Sequence, residues 1–325
     1  MKNGDLFLKN CSLIFAGNVF FAGILFTHTT MPAPVVIFCY NRPQHLRRTV
    51  KALQENSLAP TSDLIVYADG PKLPGDFDKV AEIRNYLRTI DGFASVTIHS
   101  SEKNIGLANS VIAGVTQVLE IYESVIVMED DMECTTDFLD YMNQALITYS
   151  SRNDIFSVSG YGPVLELPED YPHDLYLVPR ASSWGWGTWR DRWMKADWQV
   201  SDFMTIRKDQ TLRKKLTKGG EDLWPMLFKQ QTGVISSWAV RWTWSQTKNN
   251  AYGLYLVQSK IKNIGTDGSG ENFSKETRAY DNELWEGRVI FEKDIQPDAD
   301  VMRIFRQKYR LSCIRKILNW LKYRI

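Results

Sequence analysis

Apolar and polar positions follow two periods along the first half of the chain. Pro34 to Cys39, PVVIFC, is an unbroken apolar and β-branched run. That is the pattern of a strand buried on both faces of a parallel sheet. After Tyr40-Asn41-Arg42-Pro43, apolar residues recur as Leu46, Val50 and Leu53, one face of a helix. Leu64 to Ala68 predicts a second strand, closed by the turn signal Asp69-Gly70-Pro71. Val80 to Ile90 predicts a helix and Val96 to His99 a third strand. A helix over Asn104 to Ile121 places Leu107, Val111, Val115 and Leu119 on one face. Ser124 to Met128 predicts a fourth strand that runs into Glu129-Asp130-Asp131, and a helix follows over Asp137 to Ser150.

This βαβαβαβα order predicts an α/β fold, a mostly parallel sheet with helices on both faces. Ligands of such sheets lie at the carboxyl ends of the strands. Asn41-Arg42, Asp69-Gly70 and Glu129-Asp130-Asp131 all follow predicted strand ends, so three polar clusters converge on one edge. No GxGxxG follows the first strand and no GxxxxGK[ST] is present, which removes the dinucleotide-fold and P-loop readings. The expected organisation is a domain over 32–290, with a first half over 32–150 and a second over 151–290. It is flanked by a leader or weak anchor over 1–31 and a basic amphipathic tail over 291–325.

Composition adds limits. Among 325 residues, 39 Lys+Arg balance 38 Asp+Glu, which does not suggest a nucleic-acid binder. The 4 cysteines are scattered without a CxxC pair, which excludes a disulfide framework and a zinc ribbon and fits a reducing compartment. The tryptophans concentrate between Trp184 and Trp244.

The two ends differ in kind. Leu13 to Phe26 is apolar but shorter than a membrane-spanning helix needs. It reads as a dispensable leader, a weak anchor or a cleaved signal segment. From Val301 onward there are eight basic residues and no acid, with Ile314, Ile317, Leu318 and Leu321 at helical spacing. That pattern describes a helix on an anionic membrane surface, or one packed on its own domain with its charges solvated.

Three successive acids after a buried strand repel one another, and burial disfavours their charge. A divalent cation resolves both problems, and an all-oxygen ligand set suits Mg2+ or Mn2+. The plain alternative is a solvated acidic turn.

The segments VVIFCYNRPQHLRRTVKAL, VYADG, NIGLANSVIAGVTQVLE, VIVMEDDMECTTDFLDYM and SSWGWGTW resemble nucleotide-sugar glycosyltransferases of GT-A (Rossmann-like) fold. The theme is that of N-acetylglucosaminyltransferase I and bacterial surface-polysaccharide enzymes. The resemblance implies that Arg42 contacts the donor diphosphate and Asp69 the base. It implies that Asp131 ligates the metal, while Asp130 reaches the ribose and Glu129 the sugar. Asn104 is a further lining residue. Ser110 falls near the place of a family histidine beside the base, a departure that bears on uracil as the base.

In the second half, SSWGWGTW combines small residues with flat aromatic rings. Glycine permits close backbone approach, and rings with a polar edge suit sugar faces. Trp184 and Trp186 are the expected acceptor-binding residues, and Trp189 and Trp193 the expected core. Gly219-Gly220-Glu221-Asp222 opens a helix over Leu223 to Gln231, where acids act as simple caps or, by the resemblance, as the general base. EDLWPMLFKQQTG matches a family segment in an aspartate, a tryptophan, a glutamine and the closing glycine. On that register Asp222 is the base and Glu221 the second choice. Asp267-Gly268-Ser269-Gly270 reads as a turn or a lid.

The resulting expectation is an inverting, metal-dependent glycosyltransferase. It takes a nucleotide-sugar, with UDP as the expected nucleotide, and a glycan or lipid-linked acceptor in surface-polysaccharide synthesis. It binds no nucleic acid and sits in the cytoplasm at the inner membrane leaflet. The competing readings are a sugar-phosphate nucleotidyltransferase, for which YNRPQHLRR is a poor phosphate loop, and a non-catalytic sugar-binding protein.

Overall fold

In a computed structural model of the chain, the described residues are 31–268, 277 and 280–325. The expected leader up to residue 30, and Ser269 and Gly270 of the expected lid, lie outside them. The strands are β1 Val35–Cys39, β2 Asp63–Ala68, β3 Ser95–Ser100, β4 Ser124–Glu129 and β5 Met132–Cys134. They continue as β6 Ile155–Ser159, β7 Leu175–Val178, β8 Trp186–Trp189, β9 Tyr252–Leu256 and β10 Ile261–Asn263. The main sheet has the order β3-β2-β1-β4-β8-β6-β9-β7, and β10 pairs with β5 beside it.

The first four neighbours are parallel, joined by helices Pro43–Gln54, Phe77–Leu87 and Leu107–Ile121. Their apolar runs are buried as the sequence pattern requires: every residue of β1 is inside. Beyond β4 the sheet is mixed. β8 runs antiparallel to both β4 and β6, and β7 antiparallel to β9, while β6 and β9 are parallel. The helices cover both faces. Leu46, Val50, Leu139 and Met142 belong to the core on one side, and Val111, Val115, Trp193 and Trp242 to that on the other.

Most of the tryptophan-rich segment is core. Trp186 is 1% exposed and stacks on Trp193 and Trp238 at 5.7 and 4.8 Å between ring centres. Helix Ala299–Lys308 buries Val301 and Phe305 against Tyr176 and Tyr255. The last helix, Cys313–Tyr323, follows it. Among the described residues, no helix is long and apolar enough to cross a membrane.

Candidate active site

β1 is flanked by β2 on one side and β4 on the other, so the strand order reverses there. The carboxyl ends of β1 and β4 therefore flank a topological switch point, where open α/β sheets bind ligands. The register sets Phe38 opposite Glu129, which brings Arg42 and the acidic triplet together. Arg42 pairs with Asp130 and, through Nη1, with Asp131 Oδ2 at 2.9 Å. The backbone of the triplet is strapped from two sides. Thr49 Oγ1 donates to the Asp130 carbonyl at 2.8 Å and accepts from the Met132 N–H at 3.1 Å. The Ile264 N–H donates to the Asp131 carbonyl at 2.8 Å.

Asp130 and Asp131 are 3% and 5% exposed. Burial, then the charge of Asp131, pushes Glu129 well above the usual carboxylate range, and Arg42 opposes this. Burial also raises Asp130 to about 6, against the pull of Arg42. For Arg42 burial works against its charge, but Asp130 and Asp131 outweigh it and the guanidinium stays protonated. Asp131 Oδ1 is buried without a hydrogen-bond partner. The chain thus holds three acids against one arginine and leaves one buried carboxylate oxygen unanswered.

The β5–β10 pair supplies residues that no sequence signal marked. Asn263 Oδ1 accepts from the Gly265 N–H at 2.7 Å, which turns the chain past the acids. Gly265 lies so close that a Cβ there would stand 2.7 Å from Arg42 Nη1 and 2.9 Å from Asp131 Cγ. Both residues line the cleft with Arg42, Asp69, Asn104, Ser110, Glu129, Asp130, Asp131 and Trp184.

Asp69 is a brace as well as a lining residue. Its Oδ1 accepts from the N–H groups of Gly70 and Ile105 at 2.9 and 3.0 Å, and Oδ2 from Gly106 at 2.9 Å. Asn104 Nδ2 donates to the Gly70 carbonyl at 3.0 Å. Together they fix the loop before helix Leu107–Ile121. Asp76, unmarked by the sequence, fixes the loop after β1. It accepts from Tyr40 Oη at 2.5 Å, Asn41 Nδ2 at 2.8 Å and the Leu73 N–H at 2.7 Å. Those hydrogen bonds hold its carboxyl at about 2.

The expected acceptor residues separate. Trp184 lines the cleft and meets Tyr161 and Tyr280 edge-on, at 4.6 and 5.4 Å. Trp186 does not: as part of β8, in the middle of the sheet, its ring is buried and cannot meet a sugar. Neither Asp222 nor Glu221 lines the cleft. Asp222 forms a bidentate pair with Arg180 at 2.8 and 2.9 Å, and the Arg180 guanidinium lies 4.1 Å over the Tyr309 ring. Glu221 turns to the C-terminal segment, accepting from the Lys316 ammonium at 2.8 Å and the Leu311 N–H at 3.2 Å. Of the lid loop, Asp267 Oδ2 meets His45 Nε2 at 3.1 Å.

The sequence model of the GNT-I family matches residues 21–213, more than half of the 325 residues. The chain belongs to the GNT-I family. This bears out the resemblance to GT-A nucleotide-sugar glycosyltransferases. The GNT-I match takes in Arg42, Asp69, the acidic triplet and Trp184 but stops short of Glu221 and Asp222. No curated protein sequence matches the chain.

Among solved structures, the mannosyltransferase PcManGT from Pyrobaculum calidifontis, in complex with GDP-Man and Mn2+, is similar over 50% of this chain and 46% of its own, at 15% identity and TM-score 0.37. The 1–349 fragment of S. aureus TarS is similar over 72% of this chain and 61% of its own, at 10% identity and TM-score 0.38. A longer S. aureus TarS structure is similar over 72% and 37%, at 10% identity and TM-score 0.39. The chain thus spans less than two thirds of the length of each.

Proposed function

We propose that the chain is an inverting, metal-dependent glycosyltransferase that moves a sugar from a nucleotide-sugar to a hydroxyl of a glycan or lipid-linked acceptor. The observation that carries this reading is the buried Asp131 carboxylate at the switch point, with Oδ2 paired to Arg42 and Oδ1 without a partner. A buried polar atom left unsatisfied costs about 1–3 kcal/mol. A divalent cation answers it, and oxygen donors suit Mn2+ or Mg2+.

Among the described residues, no group of three or more His, Cys, Asp or Glu side chains is placed to hold a metal ion. A hard cation at Asp131 would take its remaining ligands from substrate phosphates and water. Asp131 would hold it, with Asp130 beside it. Bound there, the cation supplies Lewis-acid stabilisation of charge on the leaving diphosphate.

The chain's own residues do the rest. Arg42 stays charged between the acids and offers its remaining N–H groups to diphosphate oxygens. Asp69 and Asn104 fix the loop that receives the base, and carboxylate lone pairs left on Asp69 accept from a base N–H. Asp130 and Glu129 face the ribose and sugar hydroxyls. Trp184 borders the acceptor side. Asp222 is the proposed general base: it lies outside the cleft in a bidentate pair with Arg180, so the role requires that acceptor binding bring the hydroxyl to its carboxylate, which then takes the proton. The hydroxyl oxygen bonds to the anomeric carbon from the face opposite the diphosphate. The old carbon–oxygen bond breaks, and its electron pair leaves with the nucleoside diphosphate. Glu221, committed to Lys316, is not the base in this scheme.

A panel of UDP- and GDP-sugars incubated with Mn2+ tests this reading. Release of nucleoside diphosphate that stops on chelation supports it. Consumption of a nucleoside triphosphate with a sugar phosphate, or sugar binding without turnover, overturns it.

A further inference from the structure

Helix Cys313–Tyr323 has its apolar side turned away from the protein. Ile314, Ile317, Leu318 and Leu321 are 72%, 58%, 52% and 57% exposed. At 3.6 residues per turn they share one face, roughly opposite the face that meets the domain. The domain-facing side is polar or half-polar. Lys316 pairs with Glu221, Asn319 is buried, and the Tyr323 ring meets Phe228 at 6.2 Å. A surface helix normally docks through its apolar stripe; this one docks through the other side.

The orientation is anchored before the helix begins. Val301 and Phe305 of the preceding helix are fully buried. The Leu311 N–H is held by Glu221, and Ser312 Oγ caps the helix by accepting from the Arg315 N–H at 3.2 Å. A contiguous apolar face held outward in this way marks an interaction surface.

Charge selects the partner. Arg315 and Lys322 lie along one edge of the apolar face at helical spacing, Arg310 and Arg324 are exposed at the two ends of the helix, and residues 301–325 contain no acid. Two copies meeting through this face would bring like charges together. An anionic bilayer offers both an apolar phase and complementary charge. We propose that this face docks on an anionic lipid bilayer, with the helix lying in the interface. Its aliphatic side chains enter the acyl boundary to about 5–10 Å, and its basic side chains meet headgroup phosphates. Trp320, 56% exposed beside the aliphatic face, sits at the headgroup level.

The same helix is tied to Glu221, the neighbour of Asp222. Docking therefore brings the Glu221–Asp222 segment, and with it the proposed base, towards the membrane surface. That consequence rests on the sugar-transfer reading; the docking surface itself does not.

Hydrogen exchange of the full chain reads the helix directly, whatever residues 1–30 do. The probe is vesicles of phosphatidylcholine with 30% phosphatidylserine, against pure phosphatidylcholine. The expected result is slowed exchange over 313–323 with the anionic vesicles only. Ile317→Ser/Leu321→Ser should weaken that protection by about tenfold or more, and raised salt should reduce it. Both substituted residues are exposed, so folding is preserved. Exchange over 313–323 that anionic vesicles leave unchanged would overturn the proposal. So would protection that grows with protein concentration alone, which would assign the face to a second copy. Nucleoside diphosphate release, measured without vesicles, reports separately on the sugar-transfer reading.

Discussion

Replacing Gly265 by alanine perturbs the acid–arginine cluster without touching any charged group. The new Cβ would stand 2.7 Å from Arg42 Nη1, 2.9 Å from Asp131 Cγ and well inside contact distance of Asp131 Oδ2. Carbon contacts settle at about 3.5–4.0 Å, so either the loop after β10 or the Arg42–Asp131 pair must move by about 1 Å. The loop is poorly placed to yield. Asn263 holds the Gly265 N–H, and the Ile264 N–H is bonded to the Asp131 carbonyl. A displacement of about 1 Å at a reacting centre costs about a hundredfold in rate, which is about 2.7 kcal/mol of transition-state stabilisation. Overpacking costs about 1–3 kcal/mol of stability, a tolerable loss. Gly265→Ala should fold, melt a few degrees lower, and lose about two powers of ten in kcat/KM for the donor, with weakened Mn2+ dependence. Steady-state kinetics with a metal titration measures this. A folded Gly265→Ala protein with wild-type kinetics would refute the claim that this glycine's close approach shapes the site.

Asp222→Asn should lower turnover by about two to four powers of ten while leaving donor affinity unchanged in calorimetry; a turnover loss matched by a donor-affinity loss would remove it as the base. Glu221→Gln should loosen helix Cys313–Tyr323 in hydrogen exchange and leave turnover in solution intact. The Lys316 ammonium, helped by the Leu311 N–H, holds Glu221 below the ordinary glutamate value of 4.5. Its docking contribution is therefore present above that value and lost as pH falls through the folded one. Helix undocking in wild type should accordingly appear on acidification and be absent from the pH profile of Glu221→Gln. Trp186→Ala should cost about 3–5 kcal/mol in denaturant unfolding, whereas Trp184→Ala should mainly raise the KM for acceptor; equal destabilisation by both would contradict their different placement.

The first half was legible because its signals are local. The apolar runs of β1 and β4 and the polar residues just after them fix the edge on which Arg42 and the triplet meet. The second half was less legible because its pairings are distant in sequence. β8 enters the sheet centre between β4 and β6, which makes Trp186 core. Nothing in the pattern SSWGWGTW separates it from Trp184. Gly265 and Asn263 reach the acids only through a three-residue pair of strands, β5 and β10, more than a hundred residues apart. The Arg180–Asp222 pair and the Asp76 brace likewise join side chains with no shared local motif. The last helix shows a different limit. Its amphipathic pattern was plain, but that pattern is the same whether the apolar face packs inward or faces out.

Asp131 is proposed to hold a catalytic divalent cation at the β1–β4 switch point. The direct measurement is calorimetric titration of UDP- and GDP-sugars into wild type and Asp131→Asn, with and without Mn2+. Mn2+ should strengthen donor binding in wild type. That gain should vanish in Asp131→Asn while the fold remains intact, since the residue follows the strand end and Arg42 keeps its pair with Asp130. Mn2+-dependent donor binding of equal strength in both proteins would contradict it.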